Sequence, residues 1–193
     1  MGHSQAEKLE THQRIVDIAA KRFRERGIDG VSIADVMREA GLTVGGFYKH
    51  FSSRDELVVE ALRHALKDIE SWESAIPVAA SQAMHSYLSE SHRDNLVTGC
   101  PISALVNDVG RSTGGAREVV SMEVSKIVGL ISQASPAHET ASKRSDAILV
   151  LSACVGAVAL SRAVSDRALS REILGGALTG ILGKLSSNRP ADE

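Results

Sequence analysis

The feature that most constrains this 193-residue chain is a pair of short helical patterns separated by a turn at Gly41. Ser32 is a favourable N-cap, and Asp35 follows three residues later, as at the start of a helix. Gly41 ends this first pattern as a left-handed C-cap would. A second short helix is predicted from near Thr43 to about Phe51. Two short helices joined by a brief glycine-containing turn form a helix-turn-helix.

Helical periodicity continues on both sides of this pair. Upstream, an apolar series from Ile15 to Phe23 recurs at helical spacing, and Gly27 is the predicted stop. Downstream, Ser53 and Glu56 predict another capping box. It opens a long helix whose buried face is predicted to consist of Leu57, Val58, Ala61, Leu62, Ala65 and Ile69.

Proline and polar segments divide the middle of the chain. Pro77 and Pro101 each fit the first turn of a helix, where proline has no hydrogen bond to lose. The polar segments at 91–99 and 111–115 are predicted to be connections between helices.

Three longer helices complete the predicted fold. One is expected at about 116–133, before Pro136, and two apolar helices are expected at about 139–164 and 168–187. The tail SSNRPADE is predicted to fray. Aromatic residues, which favour strands, make up only 3% of the chain, and no strand pattern stands out. The predicted fold class is all-α, with about nine helices.

Charge is distributed unevenly between two predicted domains, at 1–55 and 56–193. The whole chain carries −2, which by itself does not indicate a nucleic-acid partner. From Lys8 to Arg54, however, nine basic residues stand against six acidic ones, a net of +3, whereas the remainder carries −5. A basic N-terminal part on an acidic body suits contact with phosphate. The alternative, which is preferred when no motif supports the contact, is that the excess of +3 is ordinary scatter.

Several function classes have no sequence signal. Cys100 and Cys154 show no CxxC or Cys/His spacing, so we expect no disulfide framework, no metal site and no cofactor, and a reducing cytoplasm as the location. The longest uncharged apolar run, at 147–161, is shorter than the roughly 20 residues that span a bilayer, and no signal segment opens the chain. Motifs such as HExxH and Gly-x-Ser-x-Gly are absent, so an enzyme is not expected.

The second helix of the pair has two different faces on a helical wheel. Phe47 and Phe51 lie four residues apart and are predicted to anchor this helix to its neighbours. Two adjacent glycines cost a helix roughly 0.5–1 kcal/mol each relative to alanine, so they suit a backbone that must approach a partner closely. The predicted outward face comprises Gly45, Gly46, Tyr48, Lys49 and His50, with Val44 near its edge.

These residue types suit the major groove of DNA. Tyr48, Lys49 and His50 can donate hydrogen bonds to phosphate oxygens, and Val44 can touch a thymine methyl. Thr43 and the N–H groups behind it form a helix N-terminus that favours phosphate. The alternative is that the glycines mark a loop and the charges are solvated. The predicted DNA contacts are Ser32, Thr43, Val44, Gly45, Gly46, Tyr48, Lys49, His50 and Arg54.

Five blocks follow one another between residues 14 and 62: an Ala-rich helix ending in Phe-x-x-x-Gly, then Ser-Ile-x-x-Val, Ala-Gly-Leu-Thr, Gly-x-Phe-Tyr-x-His-Phe and Ser-x-x-Glu-Leu. In this order and spacing the stretch, about a quarter of the chain, resembles the N-terminal domain of the TetR (tetracycline-repressor-like) family. The resemblance implies a sequence-specific transcriptional regulator, commonly a repressor. Such a repressor leaves its double-stranded operator when a small-molecule effector binds an all-α C-terminal domain, which also forms the dimer.

The chain departs from the family pattern at two positions of the recognition segment. Family members often carry a polar or charged residue where Val44 stands, and Thr or Ser where Gly46 stands. Few side chains are therefore left to read bases by hydrogen bonding, and no operator sequence is predicted.

A homodimer is also predicted from the residues themselves. One short recognition helix covers too little DNA, and two-fold pairing doubles its contacts on a symmetric operator. The helix predicted at 139–164 is apolar nearly all round, as expected of a helix covered on several sides. We predict a four-helix interface formed by the last two helices and their symmetry mates; the alternative is that both belong only to the monomer core. Small residues that permit close approach are Ser152, Ala153, Gly156, Ala157, Gly176, Gly180 and Gly183.

The effector is not identified by the sequence. The region at 57–160 expected to bound its pocket holds only Trp72 and Tyr87 as aromatic residues. Polar candidates in this region are more typical of surface or capping positions, and none is assigned as a ligand: His85, His92, Asn107 and Asp108.

Cys100 supports an alternative mode of regulation. It precedes Pro101 at a predicted helix N-terminus, where the helix dipole lowers the pKa of a thiol. The motif GCPISAL also resembles one found in a subgroup of TetR-type regulators, some of which respond to electrophiles through a cysteine. The alternative function is thus a thiol-based redox or electrophile sensor, and the competing interpretation is a small buried residue at a helix cap. Cys154 is predicted to lie in the core.

Overall fold

The computed structural model describes residues 5–112, 114–135 and 140–186, and these ranges contain helices and no strand. The all-α prediction is confirmed. The α-helices are α1 Gln5–Arg26, α2 Ile33–Glu39, α3 Arg54–Leu66, α4 Glu70–Tyr87, α5 Glu90–Asp94, α6 Pro101–Arg111, α7 Gly115–Ala134, α8 Thr140–Ala163 and α9 Arg167–Ser186. Two 3₁₀ helices lie at Val44–Lys49 and Lys67–Ile69.

The predicted signals at the ends of α1 and α2 are confirmed. α1 ends at Arg26, and Gly27 follows with a φ of +77°. Ser32 caps α2, because its hydroxyl accepts the N–H of Asp35 while the Asp35 carboxylate accepts the N–H of Ser32. Gly41 has a φ of +72° after the helix, the left-handed conformation that glycine adopts without strain.

The start of α3 is capped differently from the predicted box. Ser53 accepts the N–H of Glu56 at 3.1 Å, as expected. The Glu56 carboxylate, however, accepts mainly the N–H and the hydroxyl of Ser52, with a smaller contribution from the N–H of Ser53. Two adjacent serines therefore share the capping that the sequence pattern assigned to one.

The prediction for Pro77 is wrong. Pro77 lies inside α4, and Ala79 two residues later has non-helical angles, φ −149° and ψ 54°. Two helical segments meet at this kink, and the Trp72 indole N–H donates to the Ala83 carbonyl at 2.9 Å across it. A proline therefore marks a break within a helix here rather than the beginning of one.

The polar segment at 91–99 is not entirely a connection. Ser89 accepts the N–H of His92 at 3.1 Å and caps the short helix α5. Its capping serine lies before the segment, which explains why the polar composition alone predicted a loop.

The later helices follow the sequence closely. α6 begins at Pro101, directly after Cys100 at the N-cap, and α7, α8 and α9 lie close to their predicted bounds. Some predictions fall outside the described residues. They concern Thr113 in the predicted 111–115 connection, Pro136, and residue 139 at the start of the predicted 139–164 helix. The predicted frayed tail also lies almost wholly outside, because residues 187–193 are not described.

The chain divides into two compact units. The first comprises the described residues of Met1–Asp68 and Cys100–Val120, and in it α1 packs against α2, α3 and α6. The second comprises those of Ile69–Gly99 and Ser121–Glu193. In the second unit α8 packs along α9, while α4 also contacts α9 and α5 contacts α8. The functional boundary at residue 55 stays a prediction.

α8 is the one helix among the described residues that is long and apolar enough, by length and composition alone, to cross a membrane. Core helices of soluble proteins pass the same criterion. One side of α8 is buried within the second unit through Ala147, Val150, Leu151, Cys154, Ala157, Val158 and Ser161.

We expect Gly27→Ala to lower the free energy of unfolding by about 1–2 kcal/mol, because alanine is strained at positive φ. The new Cβ would also lie 3.1 Å from the Asp108 carboxylate. The control is Gly129→Ala in α7, whose Cβ meets no described atom within 4 Å. That change is expected to raise stability by about 0.5–1 kcal/mol. Urea unfolding of both variants measures the difference, and equal stability of Gly27→Ala and the wild type would contradict this account.

Candidate nucleic-acid interface

The recognition segment, defined here as Thr43–Phe51, is built around a 3₁₀ helix rather than the predicted α-helix. The 3₁₀ helix runs over Val44–Lys49, with Thr43 at its N-cap. Gly45 and Gly46 favour α-helix poorly, and a six-residue helix has few α-type hydrogen bonds to lose. In a 3₁₀ helix, side chains three residues apart eclipse each other. The 100° wheel therefore needs correction, because Gly45 lies over Tyr48 and Gly46 over Lys49.

The aromatic anchor of this segment is confirmed. Phe47 is completely buried and Phe51 almost so. Their rings lie 5.2 Å apart, and the His12 ring of α1 stacks on Phe51 at 4.5 Å. These contacts attach the recognition segment to the first unit although it has few backbone hydrogen bonds of its own.

The outward side of the segment is smaller than the wheel predicted. Tyr48 is 70% exposed, and Thr43, Val44, Gly45 and Lys49 are exposed as well. A Cβ at Gly45 would meet no described atom within 4 Å, so this position is an open backbone surface.

Gly46 and His50 are half-buried rather than fully outward. A Cβ at Gly46 would point towards the Met37 methyl, 3.7 Å away. The Nδ1 atom of His50 is buried, and within the described ranges it has no hydrogen-bond partner. Burial, reinforced by the positive charges of His12 and Lys8, lowers the pKa of His50 below its ordinary value. His50 therefore tends to be neutral in the protein without DNA.

Arg54 and Ser32 have structural partners in the first unit. The Arg54 guanidinium donates to the backbone carbonyls of Ile28 and Val31, which ties the start of α3 to the loop between α1 and α2. The Ser32 hydroxyl donates to the Asp35 carboxylate at 2.6 Å. Both residues thus position the helices that flank the recognition segment, whether or not they also contact DNA.

Part of the predicted basic charge is already paired. Arg22 binds Glu39 at 2.7 Å, and the buried Arg24 binds Asp68 at 2.7 Å. The net charge of the N-terminal segment therefore overstates its basic surface, whereas Lys49 is exposed.

A second exposed surface lies on α8 and α9. The outer side of α8 presents Ile148, Leu149 and Leu160, all about half exposed. Beside them is a shallow and largely apolar groove between the two helices. Its lining is formed by Leu149, Val150, Ala153, Gly176, Ala177, Gly180, Ile181 and Lys184.

The two cysteines are both buried. Cys100 is 2% exposed at the N-cap of α6, which supports the structural interpretation and disfavours a thiol sensor that must meet an electrophile. The Cys154 thiol lies 3.6 Å from the Met84 sulfur in the interior of the second unit, so the core prediction is confirmed. No cluster of His, Cys, Asp and Glu suitable for a metal occurs in the described part of the chain.

The sequence is similar to known bacterial regulators. The family profile for "Bacterial regulatory proteins, tetR family" matches residues 15–61. The HTH-type transcriptional regulator TtgW of Pseudomonas putida is 34% identical over 115 residues, which cover 53% of this chain and 85% of TtgW. SrpR of Pseudomonas putida is also 34% identical over 115 residues, which cover 53% of this chain and 54% of SrpR. The repressor KstR2 of Rhodococcus jostii is 40% identical over 55 residues, which cover 28% of this chain and 27% of KstR2.

Solved structures show the same fold along most of the chain. A TetR transcriptional regulator from Legionella pneumophila superimposes with a TM-score of 0.72 at 16% identity, covering 94% of this chain and 97% of that one. A TetR-family regulator from Cytophaga hutchinsonii gives 0.71 at 21% identity, with 94% and 98% covered.

The buried anchor, the exposed 3₁₀ helix and the glycine turn before it define a helix-turn-helix transcriptional regulator with an all-α body. The chain belongs to the TetR family of bacterial regulatory proteins.

We expect Phe47→Ala and Tyr48→Ala to differ sharply in stability. Removing the buried Phe47 ring leaves a cavity and costs about 3–5 kcal/mol. Tyr48 is mostly exposed, so its truncation is expected to cost less than about 1 kcal/mol. Urea unfolding of the two variants gives the comparison; similar losses would mean that Phe47 is not the anchor.

Proposed function

We propose that this regulator is a cytoplasmic, homodimeric repressor that binds a two-fold symmetric DNA operator through the recognition segment and leaves it when a small molecule binds. The DNA-binding part is assigned to 1–55, and effector binding and dimerisation to 56–193. The observation that carries the proposal is the exposed surface formed by Val44, Gly45, Tyr48 and Lys49. The buried Phe47 and Phe51 hold these residues outward.

The exposed residues suggest how DNA is held. Lys49 and Tyr48 are suited to donate to phosphate oxygens, and Thr43 begins a helix whose N–H groups favour phosphate. The open backbone at Gly45 permits close approach to the groove, and Val44 offers an apolar contact to a thymine methyl. The proposed set of contacts also includes Ser32, Gly46, His50 and Arg54.

We expect Lys49→Ala to weaken operator binding and to reduce the steepness of its salt dependence by about two units of log K against log salt, because each protomer of the proposed dimer loses one phosphate contact. Selection from random duplexes should first return a two-fold symmetric site, which then serves in fluorescence anisotropy titrations over a range of salt. Tyr48→Ala should also weaken binding.

The matched control is Arg117→Ala, which removes an exposed positive charge from α7, outside both the recognition segment and the proposed dimer surface. Its affinity and salt slope should equal those of the wild type. Selection of only sequence-indifferent DNA, or equal salt slopes for Lys49→Ala and the wild type, would argue against the proposal.

The outer surface of α8 and α9 supports the proposed dimer. α8 is apolar on the side that packs within the chain and on the side that does not. A second copy of the same two helices would cover the groove at Ala153 and Gly180, where small residues allow helices to approach closely. Burying such a face gives a two-fold, self-complementary interface.

Gly180→Arg is expected to convert the dimer to a monomer. No described atom lies within 4 Å of a Cβ at Gly180, so a single chain accommodates the change, whereas a close helix–helix interface does not. Gly110→Arg, at a similarly open position on α6, is the control and should remain dimeric. Sedimentation equilibrium distinguishes the two, and a dimeric Gly180→Arg protein with wild-type affinity would exclude this interface.

Release by an effector requires that the ligand prefer the form of the dimer that does not bind DNA. The second unit supports this role because its helices are largely apolar and α4 is interrupted at Ala79. Sensing through Cys100 receives no support from its buried thiol.

A further inference from the structure

An ionic cluster connects α4 and α7 inside the second unit. Glu73 of α4 is only 3% exposed. The ammonium group of Lys126 donates to Glu73 Oε2 at 2.6 Å and to Glu123 Oε1 at 3.0 Å. One ammonium group thus serves two carboxyl groups, both of which belong to largely buried side chains.

The two carboxyl groups also share a hydrogen bond. The second oxygen of Glu73, Oε1, is buried, and the Glu73 side chain is hydrogen-bonded to that of Glu123. A carboxylate has no proton to donate, so this bond requires that one of the two groups be protonated. With one shared proton the cluster is neutral. Without that proton, the cluster holds one excess negative charge away from water.

Glu73 keeps this proton up to neutral pH. Burial, followed by the contact with Glu123, raises the pKa of Glu73 to about 7. Burial also opposes ionisation of Glu123, but its hydrogen bonds with Glu73 and Lys126 outweigh this effect and lower the pKa of Glu123. The proton therefore belongs mainly to Glu73, and it leaves as the pH rises through about 7.

The charged groups that act on Glu73 all come from α7. They are Glu123 and Lys126. Glu70, on the same helix as Glu73, is exposed. The charged side chains of α9, which also packs against α4, are exposed as well: Arg167, Arg171, Glu172 and Lys184.

The part of α4 that carries Glu73 depends on contacts with other helices. It begins after Ile69, which makes no side-chain cap hydrogen bond. Pro77 has no N–H to donate to the Glu73 carbonyl, and Ala79 interrupts the helix two residues later. The segment 70–76 is therefore short and weakly supported by its own backbone at both ends. The cluster with α7 is a contact that holds this segment in place.

We propose that the contact of Glu73 with Glu123 and Lys126 is a pH-sensitive switch, which is closed while the two carboxyl groups share a proton and opens when a rise in pH removes it. In the open form, segment 70–76 moves away from α7, because two adjacent carboxylates repel each other and the excess charge is better solvated in water. This inference goes beyond the proposed function and does not depend on it. It adds a response to pH that needs no bound ligand.

Trp72 reports on this segment, because it is the only tryptophan of the chain and directly precedes Glu73. In the closed form its indole is half-buried, donates to the Ala83 carbonyl and lies 4.8 Å from the Tyr87 ring. Opening exposes the indole to solvent, and quenching of its fluorescence by acrylamide measures that exposure. Acrylamide is uncharged, so ionisation of Glu73 without movement leaves the quenching unchanged.

The experiment uses the full-length protein from about pH 5.5 to about pH 9, below the range in which tyrosine and lysine titrate. The quenching constant should rise with pH, with a midpoint at about 7. His92 lies against Tyr87 and also titrates, but burial lowers the pKa of His92 below its ordinary value. Its own titration therefore falls at lower pH and is retained when Glu73 is replaced.

Two variants test the role of the Glu73 carboxyl group. Glu73→Gln keeps an N–H donor for Glu123 and has no proton to lose, so it should stay closed. Its quenching constant at about pH 8 should equal that of the wild type at about pH 6. Glu70→Gln, the matched control, removes an exposed carboxylate one turn earlier on the same helix and should keep the wild-type midpoint.

Two further variants should shift the midpoint in opposite directions. Glu123→Gln removes the group that raises the pKa of Glu73, so the midpoint should fall by about one pH unit. Lys126→Met removes the charge that favours the ionised form, so the midpoint should rise by about one pH unit. These opposite shifts keep the test decisive if Glu73→Gln folds poorly.

Quenching that does not change with pH in the wild type, or the same transition in Glu73→Gln, would overturn the inference. Midpoints that move in the same direction in Glu123→Gln and Lys126→Met, or a shifted midpoint in Glu70→Gln, would do so too. These measurements contain neither DNA nor effector, so their failure leaves the proposed repressor intact.

Discussion

The DNA-facing surface depends on the burial of two aromatic rings. Phe47 and Phe51 stack on each other, and the His12 ring of α1 covers Phe51. A six-residue 3₁₀ helix is too short to be stable by itself, so its shape comes from this tertiary contact rather than from local hydrogen bonds. Because the two rings hold the segment in place, the exposed residues around them can be substituted without loss of the fold. The two glycines are tolerated for that reason, although they weaken the helix.

In the proposed complex, the same arrangement favours positioning of the DNA over recognition of its bases. Tyr48 and Lys49 reach outward with groups that suit phosphates, whereas Val44 and Gly45 offer a methyl surface and bare backbone. Phosphate contacts fix orientation and carry no base information. Discrimination among operators therefore has to come from few direct contacts, from the spacing of two half-sites and from the shape of the DNA.

Sequence patterns predicted the features that local chemistry controls. The caps at Ser32 and Gly41, the buried stripe of α3 and the start of α6 at Pro101 all follow from hydrogen bonds between near neighbours or from backbone preferences. The patterns failed where a distant partner decides the outcome. Trp72 bonds Ala83 across the kink that follows Pro77, and His12 of α1 stacks on Phe51 at the end of the recognition segment, which is a 3₁₀ helix. Arg54 was predicted from its position to contact phosphate, and in the structure it binds two backbone carbonyls that no spacing rule indicates.

Glu73 was likewise invisible in the sequence, because nothing in its neighbourhood marks it as buried. The partner that pairs with it comes from α7, more than fifty positions away along the chain. A buried carboxylate lowers stability unless it is fully paired, and apolar residues of similar size often serve a core better. The second unit has ample Leu, Ile and Val for that purpose, yet it keeps two acids and one base where α4 meets α7.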